Sequence, residues 1–130
     1  MTTAFCDSSA IVKLVLPEAE SVALVNTLGT YSRRNACKIS LVEIPRAVRR
    51  FHPDLESRAH RILKKFEMIG FRDGLLNRAG ILNPGELRSL DAIQLAAALS
   101  VAEVKVDFIA YDQRLLDAAR KAGLRTLSPS

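Results

Sequence analysis

Tryptophan is absent from this 130-residue chain, and Phe and Tyr together make up only 5% of it. That scarcity argues against gripping nucleic acid mainly through stacked base–aromatic platforms. Two cysteines, Cys6 and Cys37, are too few for a disulfide framework, and each lies among apolar neighbours in a short strand-like run. His52 and His60 have no metal-ligand spacing with each other or with either cysteine, which makes a zinc site a poor fit. A Gly-rich phosphate loop, a G-x-S-x-G elbow and a Cys–His pair are all missing, which removes most nucleotide-binding and covalent-hydrolase readings. No apolar run approaches the ~20 residues of a membrane span, and Met1-Thr2-Thr3 enters a strand-like run without a charged leader. The expectation is a reduced, cytoplasmic, soluble protein with residues 1–130 as a single domain.

What is present is a basic excess, and it is uneven. The net charge is +5. Residues 33–65 hold ten Lys or Arg against Glu43, Asp54 and Glu56, so this segment carries +7 and the rest of the chain −2. Read on its own, the segment is a candidate polyanion surface, and the plainer alternative is a solvated helical face.

Short apolar runs alternate with segments of helical period, which predicts an α/β fold with a mostly parallel sheet of four or five strands flanked by helices. Strands are expected at 3–6, 36–40, 69–72, 106–111 and 124–127. Helices are expected at 8–16, 18–28, 41–51, 53–68, 75–82, 90–102 and 113–122. The 53–68 segment is the clearest amphipathic pattern, with Leu55, Ala59, Ile62, Leu63 and Phe66 on one face. Asn83-Pro84-Gly85 is a turn by its chemistry. The 90–102 segment is apolar nearly all round, interrupted by Asp91, Gln94 and Ser100, and is expected to be the buried central helix.

Four acids stand out: Asp7, Glu43, Asp91 and Asp112. Each has an ordinary explanation. Asp7 and Asp112 are placed to cap helices, Ser40 and Glu43 fit a capping box, and Asp91 suits a first helical turn. Together they imply more, because strand C-termini and the following helix N-termini share one edge of a parallel sheet, where such folds build their sites. Converging carboxylates repel, so they take up protons or bind cations. An all-oxygen set suits Mg²⁺, or Mn²⁺ in its place, and a divalent site beside a basic surface points to phosphodiester hydrolysis by activated water. Lys13, Arg46 and Arg114 lie close in sequence to these acids and are candidate phosphate contacts, with surface salt bridges as the alternative.

Four motifs resemble those of the PIN-domain family, in particular the VapC-type toxins of toxin–antitoxin pairs. They are Phe5-Cys6-Asp7-Ser8-Ser9-Ala10-Ile11-Val12-Lys13-Leu14, Val42-Glu43-Ile44-Pro45-Arg46-Ala47, Leu87-Arg88-Ser89-Leu90-Asp91-Ala92-Ile93-Gln94-Leu95-Ala96, and Tyr111-Asp112-Gln113-Arg114-Leu115. The resemblance spans nearly the whole chain. It implies a Mg²⁺-dependent endoribonuclease with Asp7, Glu43, Asp91 and Asp112 as its acids, a homodimer, and inhibition by a small antitoxin. Three departures stand against it: Ala110 replaces a hydroxyl residue, Gln94 replaces a histidine found in several relatives, and Pro45 predicts that its helix starts late or kinks.

The competing reading is a non-catalytic module on the same fold that binds nucleic acid or a peptide. Its docking surface would be Leu14-Val15-Leu16 with Val22, Leu24, Val25 and Leu28. A phosphoacceptor signalling domain also clusters acids at a sheet edge, but this sequence lacks an adjacent acidic pair near the first strand.

Overall fold

The computed structural model describes residues 2–102 and 105–130; Met1, Glu103 and Val104 lie outside the described residues. Five short strands form one sheet: β1 (Thr3–Cys6), β2 (Arg33–Cys37), β3 (Glu67–Ile69), β4 (Val106–Ile109) and β5 (Arg125–Leu127). Every pairing is parallel, in the order β3-β2-β1-β4-β5. The helices are α1 (Ser8–Val15), α2 (Ser21–Leu28), α3 (Ser40–Phe51), α4 (Glu56–Leu63), α5 (Asp73–Gly80), α6 (Ser89–Ser100) and α7 (Gln113–Lys121).

The central strands are covered on both faces, so β1 and β4 are buried at every position, as parallel strands require. Alternation along each strand divides the core. Phe5 and Phe108, paired across β1 and β4, stack with centroids 5.6 Å apart on the face covered by α5, α6 and α7. Ala4, Cys6 and Ile109 point the other way, into a cluster with Ile11, Val15, Leu24, Ile44, Val48 and Leu63. Helix α6 buries Ala92, Gln94 and Leu95 to Ala98, the central position its composition predicts.

Several boundaries differ from the sequence expectation. The amphipathic 53–68 segment is a 3-10 turn (Pro53–Leu55) followed by α4, which ends at Leu63, and Met68 lies in β3. Phe66 remains buried, so the apolar pattern marks the core contact while the chain leaves the helix. The second strand runs Arg33–Cys37, which leaves Lys38 to Ser40 as a turn and helix start. Helix α3 begins at Ser40 and continues through Pro45 instead of starting late. The lost hydrogen bond falls on Leu41, which is 45% exposed, where water can replace the missing N–H. Ile39, not Ser40, is its N-cap. The proposed docking surface also shrinks: Val15, Leu24 and Leu28 are core residues, and only Val22 and Val25 stand out from it as strongly exposed.

Candidate active site

Chain connections move outward from β1 to β2 and β3 on one side, then return to β4 and β5 on the other. The sheet therefore has its switch point between β1 and β4, where the C-terminal edge opens a crevice. Asp7 and Asp112 follow those two strands and are the N-caps of α1 and α7. Asp7 Oδ1 accepts from the Ala10 amide at 3.2 Å, and Asp112 Oδ1 accepts from the amides of Arg114 and Leu115 at 2.9 and 3.2 Å. The capping role and the site role coincide, because the helix end that needs an acid is also the end that faces the crevice.

Adjacent serines tie the acids to the scaffold. Ser9 Oγ donates to Asp7 Oδ1 at 2.6 Å and accepts from the Tyr111 amide at 2.9 Å, which joins the ends of β1 and β4. Ser8 Oγ donates to Glu43 Oε1 at 2.7 Å. Both serines lie inside the first turn of α1, behind the Asp7 cap, and hydrogen-bond to acids. The capping box is replaced, since Ser40 is wholly buried and its hydroxyl meets Ser8 and Gln94.

Asp7 is 4% exposed. Burial pushes its carboxyl up to about 7, hydrogen bonds from Ser9 and Ala10 oppose this, and Asp91 and Glu43 raise it further. Asp91 is raised by burial and then by Asp112, opposed by Arg88, with Glu43 adding to the rise. Asp91 is thus within electrostatic reach of Asp7, Glu43 and Asp112, and Asp7 within reach of Glu43. Among the described residues no three His, Cys, Asp or Glu side chains stand close enough to chelate one ion directly. The donor set still fits a hard cation. Asp7, Glu43 and Asp112 each commit one oxygen to the protein, and no hydrogen bond from the described residues reaches the other. Mg²⁺ commonly keeps several waters and takes only one or two carboxylates directly, which suits acids that surround a space without closing on it.

A cleft of about 410 Å³ opens beside Asp91 and Asp112 and is lined by both signs of charge, including Arg88, Arg114 and Lys121. Arg114 is therefore at the acids, as its position implied. Arg46 is exposed one turn beyond Glu43 on α3. Lys13 is elsewhere engaged: its ammonium meets Glu18 at 2.6 Å and Glu20 at 3.2 Å, over the Tyr111 ring. The basic 33–65 segment is not one free surface either. Arg33 pairs with Glu67, Arg49 with Glu56, and Arg58 donates to the carbonyls of Leu14 and Val15. His52 and His60 are exposed, and both cysteines are free and buried, with thiols pushed up by burial.

Arg88 and Lys121 are cleft residues that the sequence does not single out, whereas Gln94 is marked there by standing in place of a histidine. Gln94 carried a usable signal: it is three residues from Asp91 on an otherwise apolar helix, so both face the same way.

The fold is thus a parallel α/β sheet with an acidic crevice at its switch point and basic side chains beside it. No family model matches the chain. Ribonuclease VapC46 of Mycobacterium tuberculosis is 35% identical over 100% of both chains, and ribonuclease VapC47 of the same species is 33% identical over 96% of each. The chain belongs to the VapC family of PIN-domain ribonucleases. Its fold matches Mycobacterium tuberculosis VapC20, a toxin that cleaves the sarcin–ricin loop, with a TM-score of 0.76 over 97% of this chain and 99% of that one, at 16% identity. It also matches a toxin–antitoxin complex from Klebsiella pneumoniae, with a TM-score of 0.74 over 98% of each chain, at 20% identity.

Proposed function

We propose that this protein is the endoribonuclease toxin of a toxin–antitoxin pair, acting as one domain over residues 1–130 and dependent on Mg²⁺, with Mn²⁺ able to substitute. The observation that carries the reading is Asp7. It is buried, no cationic partner reaches it among the described residues, its carboxyl is raised by burial and by acidic neighbours, and one of its oxygens takes no hydrogen bond from those residues. Such an arrangement is unfavourable until a cation arrives.

Asp7, Glu43, Asp91 and Asp112 are the residues that would hold the ion. When bound, a divalent cation supplies charge stabilisation at the phosphoryl oxygens and a water acidified for attack. The chain's own contribution is positional. Ser9 and the Ala10 amide fix Asp7, the α7 amides fix Asp112, and Arg114 and Arg46 offer guanidinium forks to phosphates flanking the scissile bond. The compartment we assign is the cytoplasm. Its reducing conditions suit two free buried cysteines, and no helix among the described residues is long and apolar enough to cross a membrane. Partners are RNA, a cognate antitoxin and a second copy of the chain. Exposed Val22, Val25, Val42 and Phe51 supply apolar area for protein contacts.

The test is incubation of the purified, partner-free chain with total cellular RNA and Mg²⁺ or Mn²⁺, followed by sequencing of new 5′ ends. Discrete ends are expected, lost with EDTA and with Asp91→Asn. Ends that persist in a folded Asp91→Asn protein would refute the acid assignment.

A further inference from the structure

Gln94 is 2% exposed and is the one polar residue among those α6 buries. Its Nε2 lies 3.1 Å from Glu43 Oε1, 3.0 Å from Ser8 Oγ and 3.3 Å from Ser40 Oγ. Ser8 donates to the same Glu43 oxygen at 2.7 Å. With its only proton directed there, Ser8 must accept in its 2.8 Å bond from Ser40. Three helices, α1, α3 and α6, therefore meet on Glu43 Oε1, and the donors run one way, from Ser40 to Ser8 to Glu43 and from Gln94 to Glu43.

This orientation has a cost. Gln94 Oε1 is buried with no hydrogen-bond partner among the described residues. Buried amides ordinarily satisfy both ends. Turning this amide over would offer its carbonyl to the Ser8 and Ser40 hydroxyls, but would set it against the Glu43 carboxylate. Glu43 thus dictates which way Gln94 faces. No hydrogen bond from the described residues reaches Glu43 Oε2.

We propose that Gln94 is a positioning residue that, together with Ser8, locks Glu43 by Oε1 and so leaves Oε2 as the oxygen available to a cation. The inference rests on the reading of Glu43 as a metal carboxylate. It concerns the support of that carboxylate and not its chemistry.

Mn²⁺ binding to the full chain, measured by titration calorimetry without RNA, separates the two. Glu43→Gln is expected to weaken Mn²⁺ binding. Gln94→Met, close in volume but without donors, is expected to weaken it by about tenfold, the usual range for an outer-sphere partner. Ser8→Ala, which removes the other donor at little cost in volume, is expected to act in the same direction. The Gln94→Met/Glu43→Gln double variant is expected to bind no more weakly than Glu43→Gln alone. On the RNA whose ends are mapped, Gln94→Met should lower kcat and leave KM within about twofold, because the effect lies at the cation and not in RNA binding. Unchanged Mn²⁺ affinity in both Gln94→Met and Ser8→Ala, with Glu43→Gln weakened, overturns the inference and leaves the reading of Glu43 intact. A further loss on adding Gln94→Met to Glu43→Gln also overturns it, since the effect then bypasses Glu43. Unchanged affinity in Glu43→Gln removes the underlying reading and the inference with it.

Discussion

Asp7 and Asp107 are buried acids on neighbouring strands of the same sheet, one just beyond the end of β1 and the other inside β4, yet the charges around them differ in sign. Asp107 Oδ2 accepts from the Tyr31 hydroxyl at 2.7 Å and lies 3.9 Å from the Arg125 guanidinium. Burial and this acceptor together push the Tyr31 phenol well up, which keeps it a donor. Asp7 also has donors, from Ser9 and Ala10, but the charges that reach it, those of Asp91 and Glu43, are acidic. Asp107 Oδ1 is buried without a hydrogen-bond partner among the described residues, so what separates the two acids is the sign of the charges nearby and not the count of satisfied oxygens. An acid with a cation beside it suits a structural role, and one surrounded by acids is the candidate for binding a cation.

The largest expected difference between them is catalytic. Asp7→Asn should reduce RNA cleavage by at least about 100-fold, as loss of a metal carboxylate does, while Asp107→Asn should stay within about threefold. Equal losses in two folded variants, measured as initial rates on the mapped RNA, would erase the distinction.

Next in size is a pH effect on stability. The Asp7 carboxyl is raised from 3.8 to about 7, so between those values the folded chain holds a proton that the unfolded chain has released. Stability from this group is fully present below about pH 4 and is lost as pH rises towards 7, by on the order of 4 kcal/mol at most. Metal-free melting temperatures of the wild type should therefore fall across that window relative to those of Asp7→Asn. Parallel curves for the two proteins would contradict the assigned shift.

Tyr31→Phe tests the other acid. It removes the Asp107 donor in a buried place and should cost about 1–3 kcal/mol by denaturant unfolding, with cleavage retained. No loss of stability would show that the Tyr31–Asp107 bond is dispensable.

The smallest effects concern phosphate contacts. Arg114→Ala should lower kcat/KM several-fold and reduce the salt dependence of RNA binding by roughly 0.7 in log–log slope, the loss of one phosphate contact on a single strand. Lys13→Ala should leave that slope unchanged, because Glu18 and Glu20 already neutralise the ammonium. A slope change in Lys13→Ala instead would mean that the lysine leaves its glutamates for RNA.

Legibility from the sequence followed the physics of each signal. The strand–helix alternation, the buried α6 and the caps at Asp7 and Asp112 are local patterns, and they survive in the structure. Boundaries were weaker. The apolar period through Phe66 reads as one long helix because burial, not helicity, places those side chains. Pro45 predicts a late start or a kink in its helix, and α3 starts at Ser40 and runs through it, with Leu41 exposed. Ser40 and Glu43 had the spacing of a capping box, but Ser8 and Gln94, 35 and 51 residues away from Glu43 in the chain, outcompete that local bond.

The amino-acid sequence by itself determined the α/β order and the family and singled out four acids as candidates, since these depend on periodicity, residue type and motif spacing along the chain. Tertiary structure alone decided which charges are already neutralised, which serine serves which acid, and that Gln94 joins Glu43. Those outcomes depend on side chains from distant segments meeting at the end of the sheet, and no local pattern encodes that meeting.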